Sequence, residues 1–117
     1  MPIRLKRVYE EKADGDGYRI LVDRLWPRGL SKARAGVDLW LKDIAPTTEL
    51  RRWFGHDPAK WAEFKRRYRD ELAGNEAAVA TLREHAKAGP VTLLYGARDT
   101  QHNDAVVLRD FLTKMMD

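Results

Sequence analysis

Tyr18-Arg19-Ile20-Leu21-Val22-Asp23-Arg24-Leu25-Trp26-Pro27-Arg28-Gly29-Leu30-Ser31-Lys32 is the stretch that decides the fold. Ile20, Leu21 and Val22 are consecutive and aliphatic, which predicts a strand over 18–23 that is covered on both faces, as in parallel sheets. The strand runs straight into an acid, two arginines, a tryptophan, a proline and a glycine. Pro27 has no amide hydrogen and restricts Trp26 before it, so regular structure must stop there. The Trp26-Pro27 bond is a candidate for the cis form only at the ordinary frequency of about 5–6%. A core strand needs no such crowd at its end, whereas ligand sites in α/β sheets lie at strand carboxyl ends.

Working outward, Ile3 to Tyr9 reads as a first strand, with Ile3 and Leu5 alternating with Arg4 and Lys6. Asp14-Gly15-Asp16-Gly17 reads as a turn. Tyr18 stands where a calcium loop would need an oxygen ligand, so the EF-hand pattern fails. Ser31 is expected to cap a short helical turn that ends at Gly36. Val37 to Asp43 alternates like a third strand. Thr47 opens a helix that Gly55 stops, and Asp57-Pro58 opens another. In that second helix Trp61, Phe64, Tyr68 and Leu72 form one apolar stripe, and Gly74 ends it. A helix over 77–87, an apolar strand over 91–95 and a last helix over 101–116 complete the chain. This order predicts a single three-layer α/β domain over 1–117, with a mainly parallel central sheet of about four strands flanked by helices. The link between the first two strands is short for a parallel crossover, so an antiparallel first pair is the alternative.

The bulk numbers fit that reading. The chain has 117 residues, 44% hydrophobic and 34% charged, and no cysteine. A chain of this length can bury a core without disulfides or metals. The absence of cysteine removes thiolate chemistry and cysteine-ligated zinc, and it fits a reducing compartment. No apolar run approaches the ~18 residues of a membrane span, so no membrane partner is expected. The amino terminus lacks a signal-peptide core, and a cytoplasmic location is expected.

Runs along the chain are similar to the YeaO-like branch of the domain of unknown function 488 family. They are 16–32, Trp40-Leu41-Lys42-Asp43-Ile44-Ala45-Pro46, Trp53-Phe54-Gly55-His56-Asp57-Pro58, 91–99 and 102–108. The resemblance covers nearly the whole chain and implies an intracellular α/β domain. It brings no established activity with it. The wider family often carries Cys-His-Arg near the start of the last helix. Gln101-His102-Asn103 stands there in this chain, so cysteine chemistry does not carry over.

If strands two, three and four are parallel, their carboxyl ends gather Asp23 with Arg24, Lys42 with Asp43, and Tyr95 with Gly96. The adjoining loops add Trp26, Arg28, Lys32, Arg98, Asp99, His102 and Asn103. Arg24 and Arg28 present guanidinium forks that suit phosphate or carboxylate, or else pair with Asp43 or Asp23 and pin the loop. Trp26 either stacks on a ligand ring or serves as a buried wedge, and Tyr95 can pack on the same ligand. Asp23, Asp99 and His102 are the candidate proton-handling residues, with Asp99 placed to orient His102. Arg24, Trp26, Arg28, Lys32, Lys42, Tyr95 and Asn103 are the candidate ligand contacts. No spacing points to a metal, and the dinucleotide, P-loop and nucleophile-elbow signatures are absent. No cofactor is indicated.

The partner expected from this reading is an anionic small molecule at a cationic pocket, with binding alone and binding with turnover both open. A second reading uses 51–69, where seven basic residues face two acidic ones, as a surface for nucleic-acid phosphates. A third is an interaction or structural subunit of open oligomeric state. The sequence leaves open whether the protein is an enzyme.

Overall fold

The computed structural model describes residues 3–116. The strands are β1 (Ile3–Arg7), β2 (Tyr18–Leu21), β3 (Leu39–Trp40) and β4 (Val91–Tyr95). The α-helices are α1 (Lys32–Ala35), α2 (Thr48–Phe54), α3 (Trp61–Ala73), α4 (Glu76–Ala88) and α5 (Asp104–Met116). The sheet order is β1-β4-β2-β3 and every pair is parallel. The antiparallel alternative for the first pair therefore falls away. β1 and β2 are not neighbours: β4 lies between them, pairing Leu5 with Leu93 on one side and Ile20 with Leu93 on the other. No cis peptide bond occurs among the described residues, so Trp26-Pro27 is trans.

Period-two alternation assigns each strand residue to one of two covered faces. Ile20, Val22, Val91, Leu93 and Tyr95 join the large core formed with α2 to α5. Leu21 and Leu94 point the other way, into a smaller cluster with Val8 and Ala35, sealed by Trp26, Leu30 and Val37. That is why the aliphatic run 20–22 shows no polar gap.

Further along the second face, Arg19 and Thr92 are polar yet buried. The Asp16 carboxylate pairs with the Arg19 guanidinium and also with Lys6 Nζ at 3.2 Å. Arg19 further donates to the Gly36 carbonyl at 2.8 Å and the Ala35 carbonyl at 2.9 Å. The 14–17 turn is thus a lid over charged sheet residues, held by its own aspartate.

Several elements are shorter than their sequence patterns predict: β1 stops at Arg7 rather than Tyr9 and β2 at Leu21 rather than Asp23, and two others are cut back further. Only Leu39–Trp40 of the stretch 37–43 is strand. The Asp38 carboxylate accepts the Arg19 amide at 2.8 Å, taking the donor a ladder carbonyl would use, and 42–44 tightens into a 3-10 turn. The last helix begins at Asp104, not at 101. Asp99 Oδ1 accepts the amides of Gln101 and His102, both at 2.9 Å, which holds that segment as a side-chain-closed turn.

The large core contains one hydroxyl with a fixed duty. Tyr68 is fully buried and donates to the Ile44 carbonyl at 2.7 Å, tying α3 to the loop after β3. Tyr68→Phe leaves that carbonyl unpaired and is expected to cost about 1–2 kcal/mol. The expected readout is a lower urea midpoint with an unchanged m-value.

Candidate functional site

A cavity of about 260 Å³ opens at the carboxyl end of the sheet. It forms where the loops after β2 and β4 meet the start of α5 and the end of α2. Asp23, Arg24, Trp26 and Pro27 come from the first loop, and Gly96 and Ala97 from the second. Asn103 and Asp104 come from the start of α5, while Arg51, Phe54 and His56 close the opposite side.

Each loop is held by hydrogen bonds that the sequence supplies locally. Asp23 Oδ2 accepts the Gly96 amide at 2.8 Å, which stitches the end of β2 to the end of β4. Arg24 donates Nε to the Pro46 carbonyl and one Nη to the Ala45 carbonyl, both at 3.2 Å. The Trp26 indole donates to the Leu30 carbonyl at 2.6 Å and stands edge-on to Trp40. Asn103 is buried, with its amide donating to the Asp99 carbonyl and its oxygen accepting the Val106 amide, a cap for α5. Phe54 stacks on Phe64 with ring centroids 4.2 Å apart, forming the apolar wall.

The chemically distinctive feature is a pair of carboxyl groups. Asp23 and Asp104 both line the cavity, and each carboxyl acts on the other's charge. Two neighbouring carboxylates repel when both are ionised, which favours a proton on the pair. Burial raises Asp23 above the usual carboxylate range, although the neighbouring Asp104 carboxyl, then the Gly96 amide, His56 and Arg51 act against it. Asp104 is raised well above that range, by burial first and then by the neighbouring Asp23.

A group whose folded-state pKa is raised binds protons more readily in the folded protein. Its contribution therefore destabilises the fold as pH climbs from the ordinary aspartate value toward the raised one. Asp104→Asn removes this penalty. The variant is expected to melt above the wild type at pH 8 and to lose that advantage at pH 4. Thermal melts across the range check both signs.

Of the candidates from sequence, Asp23, Arg24, Trp26 and Asn103 line the cavity. Tyr95 is buried in the core behind it, and burial raises its phenol. Asp99 and His102 stand apart as a pair, with His102 Nδ1 at 2.9 Å from Asp99 Oδ2. The amides of Gln101 and His102, then the imidazole, hold Asp99 below the usual carboxylate range. The His102 ring meets Trp61 edge-on at 5.2 Å, and Trp61 packs on Phe54 and Phe64. Arg28 is exposed, and its carbonyl accepts the Tyr9 hydroxyl. Lys32 begins α1 and is exposed. Lys42 lies 5.2 Å over the Trp40 ring.

Sequence reasoning missed Asp104, Arg51 and His56 as cavity residues. An acid in the first turn of a helix is ordinary, because it complements the helix dipole. Nothing in the spacing links position 104 to position 23. Arg51 falls in the 51–69 basic stretch, and His56 stands in the turn just before Asp57-Pro58. Its φ of 56° fits that turn as well.

The basic face is largely committed to local contacts. Glu63 pairs with Arg66 at 2.7 Å and with Arg67 at 3.1 Å, and those two arginines hold its carboxyl down to about 2. Arg67 and Lys60 also lie over the Trp53 ring.

Comparison with known proteins bears on the whole chain. Residues 2–117 match the family described as the inactive DUF488-N3 subclade. The chain belongs to that subclade. The uncharacterised protein YeaO of Escherichia coli is 47% identical over 115 residues, covering 98% of this chain and 100% of its own. An uncharacterised protein of Mycobacterium bovis is 42% identical over 110 residues, covering 94% of this chain and 92% of its own. A Mycobacterium tuberculosis protein shows the same identity and coverage. No solved structure matches the chain. Membership of the DUF488-N3 subclade bears out the resemblance read from the motifs. No helix among the described residues is long and apolar enough to cross a membrane.

Proposed function

We propose that the protein binds an anionic small molecule in the cavity at the strand carboxyl ends. The observation that carries this reading is the convergence of Arg24, Arg51, three aromatic rings and a carboxyl pair on one concavity. Arg24 is pre-oriented by two backbone carbonyls, so little side-chain freedom is lost when it meets an anion. Arg51 is exposed and supplies long-range attraction. Phe54, Phe64 and Trp26 give apolar contact to a ring.

The reading is binding without turnover. The matched subclade is described as inactive, and Gln101-His102-Asn103 offers no thiol where the wider family often has one. Asp23 is the one candidate proton-handling residue that lines the cavity.

The test is a thermal-shift screen of nucleotides, sugar phosphates and carboxylates on the wild type and Arg51→Ala. A ligand at ~100 times its dissociation constant adds about 2.7 kcal/mol, a shift of several degrees in a domain of this size. A hit that weakens in Arg51→Ala supports the reading. Hits that are indifferent to Arg51 and compete with DNA in a salt-sensitive way would move the site to the 51–69 surface.

A further inference from the structure

The cavity is lined by both signs of charge, Asp23 and Asp104 with Arg24 and Arg51, and this restricts the ligand more than an anion site alone would. Asp23 follows β2 directly and is pinned to the Gly96 amide at the end of the sheet, and Asp104 reaches the cavity from the start of α5. Arg51 is exposed at the end of α2, and Arg24 lies half-buried on the Ala45–Pro46 wall. The stacked Phe54 and Phe64 rings line the same cavity. Arg24 spends Nε and one Nη on carbonyls, and its other Nη makes no hydrogen bond among the described residues. A volume of about 260 Å³ lies just below the usual ~300–1,000 Å³ of ligand sites, room for no more than a single substituted ring.

We propose that the ligand is a single-ring zwitterion, whose nitrogen-bearing donor group (amidine, guanidine or amine) is taken by the Asp23–Asp104 pair while its carboxylate or phosphate meets Arg24 and Arg51. This inference rests on the cavity being the binding site. An ionised carboxylate is an acceptor with two oxygens and matches a two-donor amidine side by side. A cationic donor also supplies the positive charge that lets both carboxyls ionise. Binding therefore displaces the proton that the pair shares.

That exchange has a sign. Loss of one proton on binding makes affinity rise with pH while the pair still holds its proton, by up to about tenfold per pH unit. The other charged or titratable groups facing the pair are Arg24, Arg51, His56 and the Tyr68 phenol. The pair's share is the part of the slope that Asp104→Asn removes.

The experiment is isothermal titration calorimetry with benzoate, benzamidine and 4-amidinobenzoate at pH 5.5 and 7.5. On the wild type, 4-amidinobenzoate is expected to bind at least about tenfold tighter than benzoate, the equivalent of about 1.4 kcal/mol. Its affinity should rise between the two pH values, with proton release visible as a buffer-dependent enthalpy. In Asp104→Asn the preference over benzoate should shrink to about twofold and most of the pH slope should vanish. Equal binding of benzoate and 4-amidinobenzoate by the wild type overturns the zwitterion inference and leaves the anion site standing. Benzamidine binding as tightly as 4-amidinobenzoate supports the carboxyl pair and removes the anion from the proposed function. No binding of any of the three overturns both.

Discussion

Gly17→Ala is expected to lower the melting temperature by about 10–30 °C, or to abolish a cooperative transition. Gly17 has φ of 67° and ψ of −139°, a region that side chains rarely enter. A Cβ there would lie 2.3 Å from the Pro90 carbonyl oxygen. That oxygen accepts the Tyr18 amide at 3.0 Å, so it cannot retreat without opening the start of the β2–β4 ladder. Backbone strain and the clash together amount to about 3–5 kcal/mol. At about 3–6 °C per kcal/mol for a domain of this size, the expected shift follows. A melting temperature within a few degrees of the wild type, by circular dichroism, would contradict the turn geometry.

Asp16→Ala is the second large effect. It leaves the Arg19 guanidinium buried without its carboxylate, and Lys6 loses the same partner. Breaking one half of a buried pair costs about 3–5 kcal/mol, because the remaining charge is uncompensated. Replacing both groups removes that charge, so Asp16→Ala with Arg19→Met is expected to be more stable than Asp16→Ala alone. Chemical denaturation of the two variants decides the sign. A double variant less stable than the single one would contradict the charge argument.

The same pair sets an acid limit. Burial pushes Asp16 upward, but the Ala13 amide, Lys6 and Arg19 together outweigh it and hold the carboxyl below its ordinary value. A depressed carboxylate stabilises the fold above its unfolded pKa, and that stabilisation is lost as pH falls through the folded value. The wild type should therefore lose stability below about pH 4. Asp16→Asn should already lack this contribution at neutral pH and show a shallower acid slope.

The fold was legible where hydrophobic pattern alone decides the structure. The 20–22 and 91–95 runs are buried on both faces because the sheet is parallel and covered on both sides. Thr47, Asp57 and Gly55 mark helix ends through local capping, which spacing reveals. What was not legible depended on side chains replacing backbone partners. Asp38 shortens β3, and Asp99 delays α5, through hydrogen bonds whose partners spacing does not reveal. The insertion of β4 between β1 and β2 also lies beyond local pattern, since it joins segments separated by most of the chain.

The candidate site divides along the same line. Asp23, Arg24 and Trp26 follow directly from the end of β2, so the strand-end rule finds them. Asp104 is brought to Asp23 only by the docking of α5 against the sheet. Arg28 and Lys32 lie too far along the loop, which turns away toward α1 on the second face. Asp99 and His102 are close in sequence, and the helix start makes them partners of each other outside the cavity lining.

The most direct test of the account is a nitrogen-15 NMR titration with 4-amidinobenzoate on the wild-type protein. The account predicts saturable shifts in the amides of residues 23–26, Ala45, Gly96, Ala97, Asn103 and Asp104, with Trp53, Arg66 and Arg67 unmoved. No saturable shift, or shifts centred on Trp53, Arg66 and Arg67, would contradict it.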